Sequence, residues 1–487
     1  MAMTKNHTLM SGSPQRLYLK AMEVVIGLEI HVQLLTRTKL FCPCRADYFA
    51  APPNTLTCPV CLGLPGALPV LNKRAVELAL QVALALGAEI QKISQFDRKN
   101  YFYPDLPKGY QITQREAPLA KGGSLQFKVE GQRKVVRIRE MHLEEDAGKL
   151  IHTESKTLID FNRSGVPLVE IVTEPDLRSP KEAREFLRAL RTLLRHLGVS
   201  NADMEKGELR CDANVSLAAD GRLGTKTEIK NLNSFRAVEK ALSAAIEYQQ
   251  EKIVRGERID QVTFGWDDSR DELLVQRVKE EAHDYRYFPD PDLVPLVLAE
   301  EWLEEVRAKM PELPWERLAR WAKDYGVPER EAEALLSEPV RANYFEEVAK
   351  AIPNPKAAVG WVLSELWPHW TDEEPPVPAQ DLALLIRKVE EGVLTRPKAK
   401  ELLERAAKAK ENLPELIQAA EGEVLRDEGE LRALAAEILS LNPQAAADFR
   451  AGKSQALGFL VGQAMRKTQG RADPKRLAQI FEELLRG

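Results

Sequence analysis

The sequence predicts an α+β protein, with a mainly β N-terminal domain carrying a metal-binding insertion, then a helical domain and a helical tail. Residues 22–293 are rich in polar–apolar alternation broken by Gly and Pro, the period-2 pattern of half-buried strands. From about Pro295 onward, Leu, Ala, Glu, Lys and Arg recur at helical spacing instead. Four of the five cysteines cluster at Cys42, Cys44, Cys58 and Cys61, which marks the insertion. A length of 487 residues suits about three domains.

Residues 1–21 carry basic side chains but no apolar core ahead of a cleavage site, so they read as a flexible extension and not as a signal peptide. The first strand follows. Val24, Ile26, Leu28, Ile30, Val32 and Leu34 fall on one face, and Glu23, Glu29, His31 and Gln33 on the other. Glu29 and His31 therefore project the same way, roughly 7 Å apart at the backbone. They suit a divalent cation, but taken alone they fit an ordinary solvated sheet face better.

The cysteines come as C-x-C, a spacer, and C-x-x-C, close to zinc-knuckle spacing. Four thiolates imply a closed structural zinc site; free buried thiols are the alternative. Cys211 stands alone and reads as a small core residue. Five cysteines in so long a chain do not form a disulfide scaffold, and a reducing compartment fits.

Further along, Glu170 lies inside an almost wholly apolar run at 167–172. A lone carboxylate buried there costs several kcal/mol unless a cation or a fixed base meets it; a salt-bridged structural Glu meets the same need. Ser179 is the expected N-cap of a helix with Pro180 at its first position and Gly198 beyond its end. The stripe Ala183, Phe186, Leu187, Leu190, Leu193, Leu194 and Leu197 would pack on a sheet.

A hairpin is expected next. Leu209, Cys211, Ala213, Val215 and Leu217 alternate with polar residues, Asp220–Gly221 supplies the turn, and residues 225–231 return. Arg210 and Asp212 could then share a face with Lys226, Glu228 and Lys230, as a metal–phosphate site or as a cross-strand ladder of ion pairs. The acidic run HLEED (142–146) is ambiguous, because alternation alone does not say which carboxylate points with Glu29.

In the C-terminal half, 381–391, 397–409, 431–439, 454–467 and 474–485 read as amphipathic helices, with Gly470 splitting the last two. The boundaries expected are 1–21, 22–293, 294–410 and 411–487. No apolar run reaches membrane-span length, so no membrane association is expected. The net charge of −5 argues against a general nucleic-acid coat protein. The end is locally basic, through Lys453, Arg466, Lys467, Arg471, Lys475, Arg476 and Arg486; a solvated helix face and a nucleic-acid contact both remain open.

Several nucleotide and hydrolase motifs are missing. GRLGTKT (221–227) has the wrong glycine spacing for a P-loop and sits in the expected hairpin. The sequence contains no Rossmann fingerprint and no G-x-S-x-G elbow.

GLEIHVQL (27–34), FDRKNYFYPD (96–105), HLEEDAGK (142–149), LIDFNRSGVPLVEIVTEPD (158–176), LRCDAN (209–214), KNLNSF (230–235), DYRYFPDPD (284–292) and ALGFLVGQ (456–463) occur in order. In these the chain resembles the GatB family, the B subunits of the bacterial-type aspartyl/glutamyl-tRNA(Asn/Gln) amidotransferases, from Met22 to the end. The resemblance implies a cradle-like kinase and transamidase domain at 22–293 and a tRNA-binding tail at 411–487. It implies a cytoplasmic heterotrimer, in which an amidase and a small third protein are the partners, acting on misacylated Glu-tRNA(Gln) or Asp-tRNA(Asn). The implied reaction is that of an ATP-dependent carbon–nitrogen ligase with glutamine as amido donor. ATP and Mg²⁺ activate the side-chain carboxylate, and ammonia released by the amidase displaces the phosphate.

The resemblance further implies magnesium ligands at Glu29, His31, Glu145, Glu170 and Asp212, and so selects Glu145 from the ambiguous run. It matches Lys99 to a lysine of the ammonia path and Cys42, Cys44, Cys58 and Cys61 to a structural Zn²⁺ site. Arg210, Lys226 and Lys230 are the candidates for ATP contact. Two other readings stand beside it: a tRNA-binding scaffold that lost phosphorylation, and a stand-alone carboxylate–amine ligase using free ammonia. The intact acidic set speaks against the first, and the basic helical end against the second.

Overall fold

The computed structural model describes residues 22–218, 222–278, 284–371, 374–421, 425, 427–468 and 470–486. The extension expected at 1–21 and the turn expected at Asp220–Gly221 lie outside the described residues. The chain divides into two compact units at Leu313/Pro314.

A ten-stranded mixed sheet organises the first unit. Its strands are β1 (Glu23–Gln33), β2 (Glu89–Ile90), β3 (Ala120–Lys121), β4 (Ser124–Val129), β5 (Gln132–Glu145), β6 (Pro167–Thr173), β7 (Leu209–Ala218), β8 (Thr227–Leu232), β9 (Val262–Asp267) and β10 (Glu272–Val278). They run in the order β10-β9-β8-β7-β1-β6-β5-β3-β2, with β4 paired to β5. β1 thus lies at the middle, antiparallel to both β6 and β7. The parallel pair is β8 with β9, and the intervening crossover contains a helix, as parallel strands require.

Four helices of this unit contribute to its core: α1 (Lys73–Ala85), α2 (Pro180–His196), α3 (Phe235–Val254) and α4 (Glu300–Ala308). α2 is the helix expected from Ser179, whose hydroxyl accepts from Glu182 N at 3.1 Å. Its stripe of Ala183, Phe186, Leu187, Leu190 and Leu194 is buried against the apolar side of the sheet, where Ile26, Leu28, Ile30 and Val32 of β1 are also buried. The alternation of β1 therefore commits one face to the core. Its other face, with Glu29 and His31, stays partly open.

α1 and α3 are helices that the patterning of the sequence does not single out. In α1 Val76, Leu78, Leu80 and Val82 alternate as a strand would, yet Ala75, Ala79 and Ala83 are buried as well. A helix covered on most sides loses the one-sided stripe that identifies it. In α3 the buried positions are largely Ala237, Ala241 and Ala245, a weak apolar signal beside Val238, Leu242 and Ile246.

The second unit is helical. The expected segments correspond to Ala379–Glu390, Arg396–Ala409, Glu428–Leu441, Gln455–Lys467 and Pro474–Arg486. Two apolar clusters form within it. One gathers side chains from Trp321 to Ala420, and the other from Leu431 to Leu485. In the first, Glu346 is 9% exposed by side chain and accepts from Arg317 and Arg320, with Lys350 at 2.9 Å. Among the described residues no helix is long and apolar enough to cross a membrane.

Candidate metal and active site

The register of the central strands determines which side chains meet. His31 of β1 stands opposite Glu170 of β6 and Arg210 of β7. Glu170 in turn stands opposite His142 of β5, and Leu168 opposite Glu144. On the uncovered face, His31 Nε2 lies 3.5 Å from Glu144 Oε1 and 3.9 Å from Glu170 Oε2. His142 Nε2 lies 3.2 Å from the same Glu170 oxygen. Ligand atoms of His31, Glu144 and Glu170 all fall within 4.8 Å of one another.

Glu144 is buried, and Glu170 beside it is partly buried. Burial opposes ionisation of Glu170, but the His142 hydrogen bond and the nearby His31 and Lys99 hold its carboxyl well below the usual range. Burial and the charge of Glu170 push Glu144 the other way, upward. Two carboxylates that cannot easily both be charged are a site that a cation relieves.

Glu29 and Asp212 are cross-strand neighbours beside this trio. Asn214 Nδ2 donates to Glu29 at 3.1 Å, and Lys230 Nζ donates to Asp212 at 2.9 Å. Burial, then Glu170, Asp212 and Glu228, raise the Glu29 carboxyl. Lys99 reaches in from the strand Asp97–Asn100, with Nζ 5.1 Å from the Tyr285 ring centre. Burial disfavours its charge, but Glu144 and Glu170 outweigh that and hold the ammonium above its ordinary range. A cavity of about 310 Å³ joins His31, Lys99, Tyr101, Glu144, Asp212 and Lys230. Beside it, a second of about 250 Å³ is lined by Gly27, Glu29, Asn214 and Lys226 among others.

Three of the expected site residues take up contacts or places of their own. Glu145 does not face His31. It accepts from Ile112 N at 2.9 Å and from Lys108 Nζ, whereas its neighbour Glu144 takes the place beside His31. Consecutive strand residues point to opposite faces, so one position decides the matter. Arg210 lines the first cavity and pairs with Asp146 at 2.9 Å, which Gln33 also contacts at 2.9 Å. Burial resists the charge of Asp146, but Arg210 and Arg163 hold its carboxyl low. Lys226 is exposed and lines the second cavity rather than the first.

Sequence reasoning does not single out Glu144, His142 or Asp146. A usable signal exists for the first two. Met141 and Leu143 are apolar, so alternation puts His142 and Glu144 together on the opposite, polar face.

The four clustered cysteines do converge. Their sulfurs lie within 4.8 Å of one another, and Cys58 Sγ to Cys61 Sγ is 3.8 Å. Thiolates at about 2.3 Å around a tetrahedral zinc stand about 3.8 Å apart, so the donor set fits. A hydrogen bond from Cys42, opposed by burial and helped by the Cys58 amide and Lys39, draws the Cys61 thiol down to about 5. Cys211 is buried in the core, as expected.

A mixed sheet thus carries a histidine–carboxylate trio on its open face and a tetracysteine cluster in the same unit, two groups that could each hold a metal ion. Residues 24–304 match the GatB/GatE catalytic domain family, and residues 343–485 match the GatB domain family. Over 95% of its length the chain is 50% identical to the B subunit of the aspartyl/glutamyl-tRNA(Asn/Gln) amidotransferase of Thermomicrobium roseum, covering 98% of that protein. It is 47% identical to the counterpart from Carboxydothermus hydrogenoformans, with 95% and 98% of the two chains covered. With the counterpart from Thermus thermophilus it shares 49% identity, with 95% and 99% covered. The chain belongs to the GatB family.

Proposed function

We propose that this chain is the component of a tRNA-dependent amidotransferase that turns the side-chain carboxylate of a mischarged Glu-tRNA(Gln) or Asp-tRNA(Asn) into an amide. The observation that carries the reading is the convergence of His31, Glu144 and Glu170 on the open sheet face of a GatB-family catalytic domain. A carboxylate oxygen is a poor leaving group, and phosphorylation by ATP makes it a good one. Mg²⁺ bound at the trio would neutralise charge on the transferring phosphoryl.

The chain's own residues then have distinct tasks. His31, Glu144 and Glu170 hold the cation, with Glu29 and Asp212 at its border. His142 orients Glu170 from behind, in the manner of an outer-shell partner. Lys230 is the candidate for phosphate contact, with Lys226 at the neighbouring cavity. Lys99 stands at the cavity wall, where it can keep the carboxylates charged and line the path of the incoming amine. Glu145 belongs to the support of this site through Lys108. Cys42, Cys44, Cys58 and Cys61 hold a structural zinc.

The partners in this reading are an amidase that releases ammonia from glutamine and a small third protein, in the cytoplasm. The helical end would contact tRNA. Phosphate release from ATP, measured with each mischarged tRNA and with both partner proteins present, tests the reading. It requires release that depends on both the tRNA and a divalent cation, and that is lost in Glu170→Gln. Release indifferent to the tRNA would refute it.

A further inference from the structure

Lys39 is a lysine with no exposed surface, sealed beside the cysteine cluster. Burying an ammonium costs several kcal/mol unless it is paired and hydrogen-bonded. Its Nζ has three partners for three N–H donors: Leu56 O at 2.8 Å, Phe161 O at 3.5 Å and Cys61 Sγ at 3.7 Å. Two of these are neutral carbonyls. The compensating charge has to come from the sulfurs, and a zinc ion with four thiolates carries a net charge of −2.

The same nitrogen joins two pieces of chain. Leu56 lies in the knuckle between the two cysteine pairs. Phe161 begins the loop that leads into β6, the strand carrying Glu170. That loop lies directly on the lysine. Gly165 has φ +87°, and a Cβ there would come within 3.4 Å of Lys39 Cδ and 3.5 Å of Cys61 Cβ. Leu40 N donates to Gly165 O at 2.8 Å, Ser164 Oγ donates to Cys61 O at 3.2 Å, and Gly165 N donates to Asp146 O at 2.9 Å.

We propose that Lys39 is the outer-sphere cation of the tetracysteine metal centre and the latch between the knuckle and the 161–166 loop, a positioning residue for the catalytic sheet. The proposal rests on the zinc reading given above. It has two parts: the ammonium partly neutralises the metal–thiolate cluster and so slows metal loss, and the shared contact makes order in 161–166 depend on a loaded knuckle.

The test uses the full chain, purified with zinc. Zinc content comes first, because a wild-type protein without zinc refutes the zinc reading and the Lys39 role with it, whereas the variants below test Lys39 alone. Zinc release to an excess of chelating dye is then timed for wild type, Lys39→Met and Lys39→Arg. Lys39→Met is expected to release zinc about 10- to 100-fold faster, the usual range for losing an outer-shell partner, and Lys39→Arg to stay closer to wild type. Equal release from Lys39→Met and wild type overturns the charge role, and so does equally fast release from both variants.

Hydrogen exchange on wild-type protein, loaded and stripped of zinc under reducing conditions, needs no variant and so stands even where Lys39→Met does not fold. Loss of protection at 161–166 together with 42–61 is expected. Protection unchanged at 161–166 overturns the latch.

Discussion

Replacing Glu144 by Gln and, separately, Glu145 by Gln sets two adjacent carboxylates with opposite duties against each other. Glu144 is 3% exposed by side chain and sits 3.5 Å from His31 Nε2. For a cation held by the trio as proposed, removing the Glu144 charge would be comparable to breaking a buried charge pair, about 3–5 kcal/mol. At about 1.4 kcal/mol per decade, that weakens divalent-cation binding about 10²- to 10⁴-fold. Without the cation the sign reverses. Burial and Glu170 already disfavour the Glu144 charge, so the Gln protein should be no less stable to urea than wild type.

Glu145 gives the mirror image. Its side chain is 4% exposed and holds Lys108 and the Ile112 amide. Glu145→Gln should cost about 1–3 kcal/mol of stability and leave cation affinity within a few-fold. Titration calorimetry with Mg²⁺ or Mn²⁺ and urea unfolding read the two effects apart. Cation affinity lost in Glu145→Gln but kept in Glu144→Gln would refute the assignment by register.

Three further outcomes are expected. Cys58→Ser should lower bound zinc below one equivalent, measured by atomic absorption; full retention of zinc would remove Cys58 from the ligand set. Phe186→Ala empties a fully buried position in α2 and should cost about 3–5 kcal/mol in urea unfolding, whereas a loss below about 1 kcal/mol would show that the helix is not packed as described. Burial opposes the charge of Glu346, but hydrogen bonds from Arg320, Lys350 and Arg317 prevail and set its carboxyl at about 2 against an ordinary 4.5. Its stabilisation is therefore present above pH 4.5 and lost as pH falls towards 2. Wild type should exceed Glu346→Gln by about 2–3 kcal/mol at pH 7 after allowance for screening, with the gap closing in acid; a gap independent of pH would contradict this.

Local chemistry is legible wherever a short segment carries its own instructions. Ser179, Pro180 and Gly198 bracket α2 because capping is settled within a few residues. The C-x-C and C-x-x-C spacing suffices for four sulfurs to meet, since each pair brackets a tight turn. In the second unit, the five helices expected from one-sided stripes are present, whereas others such as Pro314–Tyr325 and Pro339–Lys350 are not placed from the sequence. α1 and α3 escape because cover on several sides, or small apolar residues, blurs the stripe that exposure would sharpen.

By itself the sequence determined that Glu29 and His31 share the polar face of β1, that Glu170 is a carboxylate in an apolar strand, and that four cysteines form one cluster. Only the tertiary structure decided which partners they meet. An alternating strand defines two faces but not which of them looks at a given neighbour; that phase is set by register across the sheet. Pairing Glu170 with His142, and Leu168 with Glu144, put Glu144 beside His31 and turned Glu145 away. The same long-range packing paired Arg210 with Asp146 and buried Lys39 against Cys61. Those contacts join residues more than twenty positions apart, and no local pattern carries them.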